Sequence, residues 1–174
     1  MLDPFPPPPA WLRSLSEPLA RYFNLPALPD HIHEAVAVFA LYLFIHWCAS
    51  PLLSPILAPR FYPKLDRRTK TNWDVRVVSF IQSTMVNGFA LWVMFSDEER
   101  KSMNSAERVH GYTGGTALIL ALATGYFMYD LIISVFYLKI FGIGMLFHGI
   151  SALWVFSMGF VSFLYAYVVR HWRL

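Results

Sequence analysis

The stretch "GYFMYDLIISVFYLKIFGIGMLFHGISAL", Gly125 to Leu153, places an aspartate and a histidine inside sequence that otherwise has the composition of hydrocarbon-facing helix. Between Thr113 and Val169 only Asp130 and Lys139 carry formal charge. That run is too long for one crossing of a bilayer core about 30 Å thick, which takes about 20 helical residues. Dividing it at Lys139, with Gly142 and Gly144 close behind as flexible points, yields two spans, about 113–136 and 141–169. Asp130 and His148 then lie equally far before and after the reversal, each roughly 13 Å deep at about 1.5 Å per residue.

The rest of the chain agrees with a membrane protein. Of its 174 residues 56% are hydrophobic and 17% aromatic, with 14% charged, which is too apolar for a water-soluble globule of this size. The net charge of +3 is spread over loops and suits a membrane surface; no basic stripe or reading module points to nucleic acid. The single cysteine, Cys48, excludes an intrachain disulfide framework and reads as a small apolar residue in a helix.

Residues 1–30 form a Pro-rich tail without the basic and apolar regions of a cleavable signal peptide, so targeting falls to a later helix. Pro6 to Pro9 favour extended polyproline II. From Trp11 to Phe23 apolar residues recur at helical spacing, the pattern of a short helix lying in the bilayer interface, with Pro18 against it. Asp30 is the expected N-cap of a helix starting near His31. The apolar run at about 35–57 is the first span, kinked by Pro51 and Pro55 and ended near Pro59. "HIHE", His31 to Glu34, invites a metal reading, but positions i and i+2 do not share a helical face, so it reads as a surface helix start, and no metal or cofactor is expected. Arg60, Lys64, Arg67, Arg68 and Lys70 crowd the next loop, which the positive-inside tendency puts in the cytosol and both termini opposite. A second span, about 75–95, carries Gln82, Ser83, Thr84 and Asn87 and should therefore be shielded by other helices. The segment from Ser96 to Gly115 reads as a solvated loop with Tyr112 near the interface. The C-terminal 170–174 anchors the last helix. The fold class is all-α, a polytopic transmembrane helix bundle of about four spans.

In this arrangement each span brings one polar group to similar depth: His46, Asn87, Asp130 and His148. Ionisable groups there cost about 2.5–3.5 kcal/mol on insertion scales, so a shared polar cavity is the expected solution. His46 and Asn87 suit ordinary interhelical hydrogen bonding. Asp130 beside His148 is a different matter, because a carboxylate can hold an imidazole's tautomer and raise its basicity, the arrangement that general-base or nucleophilic work requires.

The run "GYFMYDL", Gly125 to Leu131, followed by a membrane-embedded histidine, resembles the TLC-domain family, which includes ceramide synthases and smaller lipid-homeostasis proteins. "NWDVRVVSFIQS", Asn72 to Ser83, and "ERVHGYTGG", Glu107 to Gly115, are similar to that family's second helix and its approach to the next. The resemblance implies a multi-pass protein of the endoplasmic reticulum that acts on or senses lipids. In ceramide synthases two adjacent histidines serve acyl transfer from acyl-CoA to a sphingoid amine; here the positions hold His148 and Gly149, and Gln82 stands where many relatives carry a further histidine. The family domain continues through further helices, so its C-terminal part is expected to be missing. Two readings follow: a lipid-binding protein that influences membrane composition without catalysis, which is preferred, or an acyl-CoA-dependent N-acyltransferase with His148 as nucleophile or base, Asp130 orienting it and the basic loop drawing acyl-CoA phosphates. His46, Gln82, Asn87, Tyr126 and Tyr129 are the candidate lipid-cavity residues. The expected partners are membrane lipids, with acyl-CoA on the second reading; an oligomer of like or unlike chains is left open.

Overall fold

The computed structural model describes residues 3–161, so the end of the fourth span and the expected C-terminal anchor lie outside the described residues. Helix α1 runs Ala10–Phe23 and stops where Asn24 turns left-handed at φ 54°, ψ 51°, a conformation asparagine tolerates. The Leu25 amide reaches back to the Ala20 carbonyl at 2.8 Å and closes the end. Trp11, Leu15, Leu19 and Tyr22 stay exposed along one side of α1.

Helix α2, Leu28–Phe44, begins earlier than the sequence reading places it. Pro29 fits the first turn because its missing N–H would be unpaired there in any case, and Asp30 therefore sits inside that turn instead of capping it. Its carboxylate instead meets Arg13 of α1 at 3.0 Å, both half-exposed. A five-residue π-turn, Ile45–Ala49, joins α2 to α3, Ser50–Leu57, and together they form one candidate span, Leu28–Leu57. The widened turn has a local cause. Pro51 offers no N–H to the carbonyl four residues before it, and the Ser50 amide bonds to Ile45, five residues back. Cys48, in this turn, is exposed.

Helix α4, Arg67–Ser96, is the second candidate span. The segment after it is more ordered than the expected loop: α5, Glu98–Ser102, and α6, Ser105–His110, with a capping box between Asn104 and Glu107. Helix α7, Gly114–Phe136, starts on a second capping box, Thr113 with Thr116, and the Thr113 hydroxyl donates to the buried Asp97 carboxylate at 2.6 Å. Helix α8, Leu138–Ser157, follows after a reversal at Tyr137 and is broken at Gly142, whose φ of +80° only glycine adopts without strain. A 3-10 turn, Met158–Val161, ends the described chain. Among the described residues four helices are long and apolar enough to cross a membrane, and the architecture is an all-α polytopic bundle.

α7 is its centre. One core cluster joins Val38 and Tyr42 of α2, Val78 of α4, and Leu118, Leu122, Tyr129 and Ile133 of α7. A second seats α1 and the start of α2 on Ala121 and Phe160. Gly125 lets α2 and α7 approach closely: a Cβ there would lie 2.5 Å from the Ala35 carbonyl oxygen. By contrast Gly149 is the one buried residue of α8. That helix packs through Gly149, through Phe156, which stacks on Phe127 at 4.6 Å, and through Trp154, which meets Phe23 edge-on at 5.9 Å, while Ile143, Phe147 and Val155 face outward as a lipid-contacting surface requires.

Candidate functional site

The polar groups of the span interiors do not form one cavity but a ladder. At its base Asp74 of α4, buried, accepts from the Ser50 hydroxyl at 2.6 Å and from the Tyr62 phenol at 3.1 and 3.2 Å. Trp73 Nε1 donates to Ser54 at 2.9 Å, and Ser54 lies 3.3 Å from Ser50. This knot ties the end of the first span, the turn after it and the start of α4 together. Tyr62, outside the spans, has its phenol pushed up to about 12 by burial and by the neighbouring Asp74 charge. Nothing in the sequence reading singled Asp74 out. A carboxylate at the very edge of the second apolar run, directly before Val75 and with Trp73 beside it, was the available signal.

Higher up, the π-turn points His46 into the bundle, where it is 3% exposed and its Nδ1 lies 3.1 Å from the Tyr129 hydroxyl. The rings of Tyr129 and Tyr137 flank the imidazole, each at 5.9 Å. One turn earlier Tyr42, fully buried, donates to the Gln82 side-chain oxygen and lies 3.8 Å from the Met85 sulfur. Tyr126 stands edge-on to Tyr42 at 5.8 Å and shares a hydrogen bond with Ser79 at 3.0 Å. Of the expected cavity residues, His46, Gln82, Tyr126 and Tyr129 therefore do come together, at the junction of α2, α4 and α7. Asn87 does not. It is exposed and donates to the Ser83 carbonyl of its own helix at 2.8 Å. Ser83 and Thr84 are likewise exposed and bond back to Phe80, so the shielding expected for this face of α4 is absent among the described residues.

No hydrogen bond or ion pair joins Asp130 to His148 among the described residues. Asp130 is 6% exposed between α7 and α8, and its Oδ2 has no hydrogen-bond partner among the described residues. The α8 residue facing it is Gly149: a Cβ built there would stand 3.4 Å from that oxygen. His148, the adjacent position, is turned outward and exposed. Equal depth had suggested a shared interior, but neighbouring residues on a helix differ by about 100° in direction, so packing α8 through Gly149 carries His148 off the interface. The outcome is a buried acceptor in apolar surroundings, with the closely packed backbone of Gly149 and not an imidazole opposite it.

The sequence profile of the TLC domain matches residues 72–171. The chain is 34% identical over 160 residues to an uncharacterised TLC domain-containing protein of Schizosaccharomyces pombe, an alignment covering 91% of this chain and 52% of that protein. It is 24% identical over 141 residues to topoisomerase I damage affected protein 4 of Saccharomyces cerevisiae, covering 80% of this chain and 48% of that one. TLC domain-containing protein 4 of Homo sapiens is 30% identical over 102 residues, 59% of this chain and 35% of the human protein. The chain thus spans about half the length, or less, of these curated relatives. No solved structure matches it.

Proposed function

Since the chain belongs to the TLC-domain family and is an integral multi-pass membrane protein, we propose that it binds a membrane lipid through Asp130 and thereby influences membrane lipid composition, without itself transferring an acyl group. The observation that carries this reading is the buried Asp130 oxygen without a partner, facing Gly149 between α7 and α8. A carboxylate at that depth is costly unless a donor reaches it. The donor is a lipid headgroup bearing N–H or O–H, such as an ethanolamine, a long-chain base or a ceramide hydroxyl; a quaternary choline has none to offer. Two features support binding over catalysis. The residue facing Asp130 is a glycine, and the neighbouring imidazole faces outward. The ladder of Tyr42, Gln82, His46 and Tyr129 already spends its polar groups on one another. The site of action is the endoplasmic reticulum, which a fluorescent fusion imaged against a reticulum marker checks.

Native mass spectrometry of the purified protein tests the reading. With ethanolamine and choline phospholipids of matched chains, the ethanolamine form is retained about tenfold better, from a charge-assisted hydrogen bond of about 1.5 kcal/mol or more. Asp130→Leu removes that preference. Equal retention of both lipids, or a preference unchanged by Asp130→Leu, refutes the assignment. Ceramide formed from acyl-CoA and long-chain base, and lost in His148→Ala, establishes the acyltransferase reading in its place.

A further inference from the structure

At the opposite end of the first span from the Asp74 knot, the "HIHE" segment departs from its reading as a surface helix start. His31 is 2% exposed and Glu34 5%, and they share a face of α2 at spacing i, i+3, a pairing that the His31/His33 comparison passes over. The tail folds back to meet them. Asp3 accepts from the Phe5 amide through Oδ1 at 2.9 Å, which leaves Oδ2 directed at His31 Nδ1, 3.0 Å away. Glu34 Oε2 lies 3.4 Å from the same nitrogen.

We propose that Asp3, His31 and Glu34 form a binding site for a divalent transition-metal ion that clasps the N-terminal tail onto the bundle. One oxygen or nitrogen of each lies within 4.8 Å of the others. Two ligands held about 2.0–2.1 Å from a tetrahedral ion stand about 3.4 Å apart, and the separations of 3.0 and 3.4 Å from Nδ1 match such an edge. Burial adds to the case: Glu34 Oε2 is buried and makes no hydrogen bond among the described residues beyond its 3.4 Å approach to His31 Nδ1, while Oε1 lies 3.5 Å from the same nitrogen. Two carboxylates against one imidazole, in a site this enclosed, leave negative charge that a cation would neutralise. The orienting shell is in place as well. His31 Nε2, the nitrogen that faces away from the carboxylates, is hydrogen-bonded to the Tyr112 hydroxyl, and the ring lies over Phe160 at 6.4 Å. A cation on Nδ1 would fix the ring proton on Nε2, where the Tyr112 oxygen can accept it, the usual tautomer control of a metal-bound histidine. One imidazole with carboxylates and no thiolate selects a borderline ion such as Zn²⁺ over Cu⁺. The ligands come from the tail and α2, and the supporting phenol from the approach to α7, so the ion would fasten the tail onto helices already joined by Arg13–Asp30, His31–Tyr112 and apolar contact.

The test uses the full chain in detergent, stripped by dialysis against a chelator and titrated with Zn²⁺ against a chromophoric competitor. One equivalent binds, and Asp3→Ala and Glu34→Gln each weaken binding at least tenfold. Asp3 precedes the first helix, so its replacement leaves the bundle folded. Zn²⁺ also slows proteolysis of the segment before Ala10 in the natural sequence and not in Asp3→Ala. Failure to bind one equivalent, or an affinity in both variants equal to that of the natural sequence, overturns the proposal.

Discussion

Gly125 offers the sharpest test of how the bundle is built. A Cβ added there would come within 2.5 Å of the Ala35 carbonyl oxygen and 2.9 Å of Val38 Cβ. Neither is the free end of a flexible side chain, so α2 and α7 must move apart, and overpacking of this kind costs about 1–3 kcal/mol. The displacement falls where it matters, because Tyr129, one turn along on the same face, holds His46 at 3.1 Å. Gly88 is the built-in control. Nothing lies within 4 Å of a Cβ added there, and an unhindered Gly→Ala change inside a helix gains about 0.5–1 kcal/mol. Unfolding the two variants by added dodecyl sulfate in mixed micelles, followed by tryptophan fluorescence, should show Gly125→Ala destabilised by about 1–3 kcal/mol and Gly88→Ala unchanged or stabilised. Equal stability of the two variants would refute the close α2–α7 approach.

The Asp74 knot makes two further predictions. Asp74→Ala leaves the Ser50 and Tyr62 hydroxyls without their acceptor and should cost about 1–3 kcal/mol in the same assay, whereas Asn87→Ala, which loses only a bond to its own helix, should stay within about 0.5 kcal/mol of the parent. Tyr62 carries a pH signature: its phenol sits near 12 in the folded chain against an ordinary 10.0, so the neutral form is favoured by folding. Its contribution is whole below the unfolded value and is lost as pH climbs from about 10 through about 12. Tyr62→Phe should flatten the stability profile over that window; an identical alkaline profile in the variant contradicts the placement of Tyr62 against Asp74.

Much of the fold was legible because a bilayer imposes simple rules of length and composition. The apolar runs, the reversal beside Lys139 and the break at Gly142 all show in the residues themselves. What the sequence hides is rotation. α8 is apolar on every side, so no periodicity reveals which face turns inward, and the choice between His148 and Gly149 is made by packing on Leu131 and Asp130. Depth could be counted from the turn, whereas direction could not. The π-turn was hidden for a related reason: Pro51 announces a disturbance, but not whether it takes the form of a kink or of a widened turn that aims His46 at Tyr129. The cluster at Asp3, His31 and Glu34 needs the tail to return to the helix, a contact no local pattern encodes.

The central claim is that α7 and α8 enclose Asp130 while presenting His148 to the surrounding acyl chains. Nitroxide labels on Asp130→Cys and His148→Cys, in bilayers, read this directly through their relaxation by dissolved oxygen, which concentrates in lipid. The account predicts strong oxygen relaxation at position 148 and weak relaxation at 130; equal or reversed accessibility would contradict it.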